Sequence, residues 1–199
     1  MQLEFHFDFG SPNCFFAHRA LPAIEAKHGV RFVRKPILLG GLFKLTGNQP
    51  PMVAFAGVKG KIDYARQEII RFQKRHGITD FVWNANFPIN TITLMRGATY
   101  AQDKPWYDAY LEACYRGMWS ENLNMGEAGV FDEVLSAAGL PASEIVGGAQ
   151  DPAVKQALID ATQASADRGN FGAPTFFVGD EMFFGKDSLW EVEEALAAS

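Results

Sequence analysis

LEFHFDFGSPNCFFAHRALPAIEAKHGVRFVRKPILL, residues 3–39, decides the fold class. Its first seven residues alternate, with Leu3, Phe5, Phe7 and Phe9 on one face and Glu4, His6 and Asp8 on the other, the two-residue period of a strand. Gly10 ends that run. Ser11-Pro12 then supplies a hydroxyl N-cap and a proline at the first helical position, where a missing N–H costs nothing and a fixed φ suits the helix. Phe15, Phe16, Ala20, Leu21 and Ile24 follow at helical spacing, and Gly29 stops the helix. Residues 30–39, carrying Phe32, Val33, Ile37 and Leu38, read as a second strand. The stretch is therefore a βαβ unit, whose strands lie parallel with a right-handed crossover.

Beyond Gly40 the character changes. Gly40-Gly41, Gly47-Asn48 and Pro50-Pro51 punctuate a loop-rich connection. Helical spacing then recurs over 62–76, 90–102, 105–119, 126–138, 143–145 and 152–168. Near the end, 175–178 and 181–184 read as strands joined through Gly179-Asp180, a hairpin signal, and Asp187 stands as a cap for a last helix over 188–198. The order β-α-β, helical block, β-β-α is that of an α/β chain with a thioredoxin-like fold. Its expected organisation is a thioredoxin-like domain from 1–39 and 170–199, with 40–169 as a large inserted helical domain.

Composition narrows the function. A chain of 199 residues supports one sizeable core, and a net charge of −5 without like-charge runs excludes a phosphate-backbone binder, so no nucleic-acid partner is expected. The N-terminus lacks a basic region followed by a long apolar run, so neither secretion nor a membrane partner is expected. Two cysteines, Cys14 and Cys114, suit neither a disulfide framework nor a thiolate zinc cage, and a cytoplasmic location is expected. Cys14 and His18 share a helical face, but two ligands do not make a metal site.

Chemistry concentrates at the turn after the first strand, where helix N–H groups favour an anion. A hydroxyl at Ser11 can hydrogen-bond an incoming thiolate and keep it nucleophilic, although a plain helix cap needs the same residue. Ser11-Pro12-Asn13-Cys14 has the spacing of a thiol-disulfide active site with serine at the nucleophilic position, which removes local two-cysteine exchange. Cys14 itself reads as a small apolar core residue or as a lone reactive thiol. Ala173-Pro174, before the strand at 175, suits a cis bond that leaves the N–H and C=O of Ala173 for an extended ligand, or simple loop punctuation. Asp187 can grip an ammonium group or cap the last helix.

FDFGSPNCFFAHRALP (7–22), GNQPP (47–51), FPINTITLMRGA (87–98) and GAPTFFVGDEMFFGKDSLWEVEEAL (172–196) together resemble the 2-hydroxychromene-2-carboxylate isomerase and kappa-class glutathione transferase family, within the DsbA-like thioredoxin superfamily. The resemblance implies a glutathione cofactor. In it Ser11 would hydrogen-bond the glutathione sulfur, Ala173 and Pro174 would present a cis-proline backbone edge to the cysteinyl part, and Asp187 would hold the γ-glutamyl ammonium. Asn48 would be the polar residue of the glutathione and substrate region, and Lys59 the basic residue of the following loop. Asn13-Cys14 and Lys186 depart from the family's usual residues at those positions.

The same resemblance implies a homodimer and a small aromatic carboxylate substrate. It implies isomerisation of 2-hydroxychromene-2-carboxylate to trans-o-hydroxybenzylidenepyruvate, or of a related intermediate of aromatic catabolism. Thiolate addition makes a double bond a rotatable single bond, rotation follows, and elimination returns glutathione. Lys59 and Asn48 are the candidates for the substrate carboxylate, and Phe43, Phe55, Trp83 and Phe87 for apolar pocket walls or core packing. Three alternatives stay open: a kappa-like transferase forming stable conjugates, a DsbA-like thiol oxidoreductase using Cys14, and a binding protein without turnover.

Overall fold

β1 (Leu3–Phe7) runs through the middle of the sheet, and all five of its residues are buried. It lies parallel to β2 (Val33–Pro36), with Glu4 opposite Val33, and antiparallel to β3 (Thr175–Val178), with Phe5 opposite Phe176. β4 (Glu181–Phe184) completes the order β2-β1-β3-β4 as the hairpin partner of β3, turning through Gly179 at φ 63°. The computed structural model describes residues 2–198.

The helix after β1 follows from its ends. α1 (Pro12–His28) starts where the Ser11 hydroxyl accepts the Cys14 N–H, and it stops at Gly29, whose φ of 65° lets its N–H reach the Glu25 carbonyl. α10 (Leu189–Ala197) packs beside α1 and against β3. The opposite face is covered by α5 (Ile92–Ala101) and α9 (Pro152–Asp167), both packed on β2. The intervening helices are α2 (Leu39–Thr46), α3 (Pro51–Ala54), α4 (Lys61–His76), α6 (Tyr107–Trp119), α7 (Ala128–Ala137) and α8 (Ala142–Gly148). Of these, α2 lies on α9, while α4 and α6 lie on α1. Among the described residues, no helix is long and apolar enough to cross a membrane.

Aromatic rings knit the sheet to the helices. Phe5 stacks on Phe176 at 5.2 Å between centroids, and Phe9 meets Tyr115 of α6 edge-on at 4.7 Å. Each fully buried ring contributes roughly 1.5–3 kcal/mol through the apolar area it removes from water.

Several expected boundaries move, each for a local reason. β1 ends at Phe7 because the chain turns at once, the Ser11 N–H reaching back 3.1 Å to the Asp8 carbonyl. β2 is confined to Val33–Pro36, and Leu39, expected in that strand, opens α2 instead. Gly40-Gly41, expected in a loop, lie in the first turn of α2, which forms despite them because Asp8 anchors its first N–H and α9 supports its length. Asp187 does not cap the last helix. It sits in a 3-10 turn, Lys186–Ser188, and no side chain caps α10.

Candidate functional site

The turn between β1 and α1 is held on every side. The Asp8 carboxylate, 1% exposed, accepts from the Gly10 N–H at 2.9 Å, from the Leu39 N–H at 2.8 Å and from the Thr91 hydroxyl at 2.7 Å. It thereby pins the starts of α2 and α5 to the end of β1. Burial pushes the Asp8 carboxyl above its ordinary range, and the three donors oppose that rise. The Phe9 carbonyl takes the Trp119 indole N–H at 2.8 Å. A Cβ on Gly10 would press on the Thr91 methyl at 3.3 Å, so the turn passes close against the start of α5.

Ser11 stands at the end of this turn. Its hydroxyl accepts weakly from the Cys14 N–H at 3.4 Å and donates to the Ala173 carbonyl at 3.0 Å. The Ala173–Pro174 bond is cis, as its place before β3 suggests. The carbonyl of Ala173, expected to be open to a ligand, is therefore occupied by the serine hydroxyl.

The segment 171–174 is the meeting point of the remaining candidates. The Asn48 amide donates to the Phe171 carbonyl at 2.8 Å, which brings the Gly47–Pro51 turn alongside. The Gly185 N–H donates to the Pro174 carbonyl at 2.9 Å, which brings the Asp187 turn to the other side. The Asp187 carboxylate is exposed and pairs with Lys186, whose own side chain is buried over the Phe72 ring at 4.9 Å. Ser11, Asn48 and the turn that carries Asp187 thus surround the segment that holds Ala173 and Pro174. Lys59 does not join them: it is exposed in the turn before α4, and among the described residues no hydrogen bond or ion pair links it to the site.

Beneath the cis-proline segment lies a buried polar chain that the sequence did not reveal. The Asn170 carbonyl oxygen accepts the Gly172 N–H at 3.0 Å and the Thr175 hydroxyl at 2.9 Å, and its amide donates to the Ser165 hydroxyl at 2.8 Å. Ser165 lies 2.8 Å from His6 Nδ1, and His6 Nε2 lies 3.2 Å from Glu4. Arg168 closes the chain on Glu4 and lays its guanidinium over the Phe177 ring at 3.6 Å. Hydrogen-bond donation runs one way if His6 is neutral, with Nδ1 accepting from Ser165 and Nε2–H facing Glu4. Burial favours that neutral form by pulling the His6 pKa down, against the neighbouring Glu4. Glu4 is held down to about 2, first by its bond to His6 and then, against the cost of burial, by Arg168. The only sequence signal for this chain was the polar face of the first strand, whose partners on and after α9 lie 159 and 164 residues away.

Cys14 is fully buried, and burial pushes its thiol up to about 12. A thiolate is the reactive form, so the position suits packing and not exchange. His18, its neighbour one turn on, stacks on Tyr115 at 4.6 Å and faces Glu112 at 3.3 Å.

Comparison with known proteins agrees with this architecture. Residues 2–197 match the model of the DSBA-like thioredoxin domain. The chain is 27% identical to a 2-hydroxychromene-2-carboxylate isomerase of Pseudomonas putida, covering 98% of this chain and 94% of that one. A solved 2-hydroxychromene-2-carboxylate isomerase superposes with a TM-score of 0.85 at 27% identity, over 100% of this chain and 95% of the other. A probable DsbA oxidoreductase of Streptomyces coelicolor shares the fold with a TM-score of 0.79 at 20% identity, over 100% and 89% of the two chains.

Proposed function

The chain belongs to the DSBA-like thioredoxin domain family, and from that premise we propose that it is a glutathione-dependent isomerase acting on 2-hydroxychromene-2-carboxylate or a closely related aromatic acid. One observation carries the reading: a serine hydroxyl, not a cysteine, sits 3.0 Å from the carbonyl that precedes the cis-proline, at the cap of α1. The name borne by the relatives supplies the substrate class.

The donor set fits glutathione. A hydroxyl donor beside helix N–H groups suits a thiolate, the backbone of Ala173 suits a peptide amide, and the exposed carboxylate of Asp187 suits an ammonium. Asn48, already donating to this segment, is placed for a carboxylate or amide of the tripeptide. Glutathione, when bound, supplies the sulfur nucleophile that adds to an unsaturated carbon and is expelled after bond rotation.

The protein's own residues govern that cycle. Ser11 turns its proton from the Ala173 carbonyl to the sulfur and keeps the sulfur anionic, while Asp8 and Trp119 hold the backbone of the turn in place so that only the hydroxyl proton has to move. Asp187 exchanges its Lys186 partner for the ligand's ammonium. No electron transfer is required, and the buried, weakly acidic Cys14 takes no part, which disfavours the oxidoreductase reading.

The test is an absorbance assay of chromene conversion with and without glutathione, with the free thiol titrated before and after. Conversion that needs glutathione and leaves the thiol content unchanged supports the proposal. Steady thiol loss points to a transferase, and absence of conversion removes the isomerase assignment.

A further inference from the structure

The sheet and most of the helices around it are closely packed, but one stretch is not. No residue between Leu42 and Phe72 is buried, and residues 44–61 are exposed without a break. α3 has no buried side chain, and α4 buries only Phe72. The side chains of this arm are not those of a wet loop. Met52, Val53, Phe55, Val58, Tyr64 and Ile70 all stand in solvent, Val53 at 60%. A monomer rarely leaves so long an apolar strip uncovered, and such strips mark contact surfaces.

Charge indicates what covers it. Between Lys44 and His76 the arm carries seven basic residues and two acidic ones, a net charge of +5 with His76 neutral, in a chain whose total is −5. Two arms laid on each other would repel. The C-terminal edge is the reverse, because residues 180–194 carry six acidic residues and one basic one, a net charge of −5. That one, Lys186, is buried. Asp180, Glu181, Asp187, Glu191 and Glu194 are exposed, and Phe184 and Trp190 stand exposed among them, Trp190 at 56%. Arm and edge thus both offer apolar side chains and carry opposite charge of equal size.

The two surfaces also adjoin. Phe171, tied to the arm by Asn48 at 2.8 Å, packs on Phe184 of β4 at 4.5 Å between ring centroids, and both rings are exposed. At the other end of the arm, Lys186 lies over the Phe72 ring. Complementary patches side by side on one surface are what a two-fold axis requires, because a half-turn lays each patch on the other's counterpart. A standard interface takes about 800 Å² and roughly 20–30 residues from each partner. The unbroken exposed run 44–61, with the outer faces of α4 and α10, supplies that number.

We propose that the chain pairs with a second copy about a two-fold axis, the basic arm of each protomer (44–76) lying on the acidic edge of the other (180–194). Phe171 and Phe184 lie at the seam, so both protomers form the rim of each cis-proline site. The inference concerns assembly and does not depend on the isomerase reading.

Sedimentation equilibrium tests it on the intact protein and on two charge-reversed variants, Lys59→Glu/Lys61→Glu on the arm and Glu191→Lys/Glu194→Lys on the edge. All four side chains are exposed, so both variants fold, which circular dichroism and the urea midpoint check. The wild type is expected to be a dimer that loosens as salt rises. Each variant alone faces like charge and dimerises at least about a hundredfold more weakly. Mixed together, the two restore the wild-type mass, since the reversed arm then meets the reversed edge and the native arm the native edge. Val53→Asp, which puts a carboxylate into the apolar strip, also weakens pairing. A wild type that is monomeric at micromolar concentration overturns the proposal, whether or not it binds anionic vesicles or another protein. A dimer that survives both reversals, or a mixture that stays monomeric, overturns it as well.

Discussion

Replacing Asn170 by alanine tests whether the buried chain under the cis-proline segment sets the site's geometry. Asn170 is fully buried, so no water replaces what the amide provided. Three bonds vanish, to the Gly172 N–H, the Thr175 hydroxyl and Ser165. Their costs differ. Thr175 falls back on the Gly172 carbonyl, 3.0 Å away, and Ser165 keeps His6, but the Gly172 N–H is left with nothing. One stranded donor costs about 1–3 kcal/mol, and the small void left by the amide brings the loss to about 2–4 kcal/mol. The expected readout is a fall in the urea midpoint at unchanged slope, together with weaker glutathione binding because Gly172 leads into Ala173. Asn170→Asp sharpens the reasoning. It keeps both acceptor contacts but requires Ser165 to donate toward the new carboxylate, so His6 must supply a proton at Nδ1 and its pKa rises. A stability loss below about 0.5 kcal/mol in Asn170→Ala with unchanged glutathione affinity, or an unmoved His6 titration in Asn170→Asp, refutes the argument.

The acid limb of stability carries the signature of the same groups. His6 and His18 have lowered pKa values in the fold, so the unfolded chain binds more protons and stability falls as the pH drops below about 6.5. Glu4 and Glu112, each lowered from 4.5 to about 2, extend the loss across that lower window, while Asp8, raised by burial, acts in the opposite sense. Urea midpoints that stay flat from pH 7 to pH 4 would contradict this. Cys14 and Cys114, both buried with thiols pushed up to about 12, should resist aromatic disulfide reagents in the native protein and react only on unfolding, and Cys14→Ala should retain activity. Rapid modification of Cys14 with loss of activity would restore the thiol reading.

What the sequence disclosed was local. The Ser11-Pro12 start, the Gly29 stop and the hairpin through Gly179 depend on neighbours within a few residues, and the structure keeps them. Asp8 was visible only as one member of an alternating strand. Its role depends on Leu39 and Thr91, which arrive from distant segments. The role of Glu4 and His6 was not legible from the strand alone, because their partners, Ser165 on α9 and Arg168 just after it, lie far along the chain. Two adjacent glycines argue against a helix wherever they stand, and only the Asp8 carboxylate at its start and the packing on α9 reverse that at α2.

The acidity of the bound glutathione thiol, followed by its thiolate absorbance across pH in the wild type and in Ser11→Ala, bears most directly on the site. An unperturbed thiol titrates near pKa 8.5, and the Ser11 hydroxyl with the α1 amides should lower it by about one unit or more. Ser11→Ala should return at least about half of that shift while still binding the tripeptide through Ala173 and Asp187. A bound thiol that titrates like the free one, or an identical curve in Ser11→Ala, would show that this hydroxyl does not hold the sulfur.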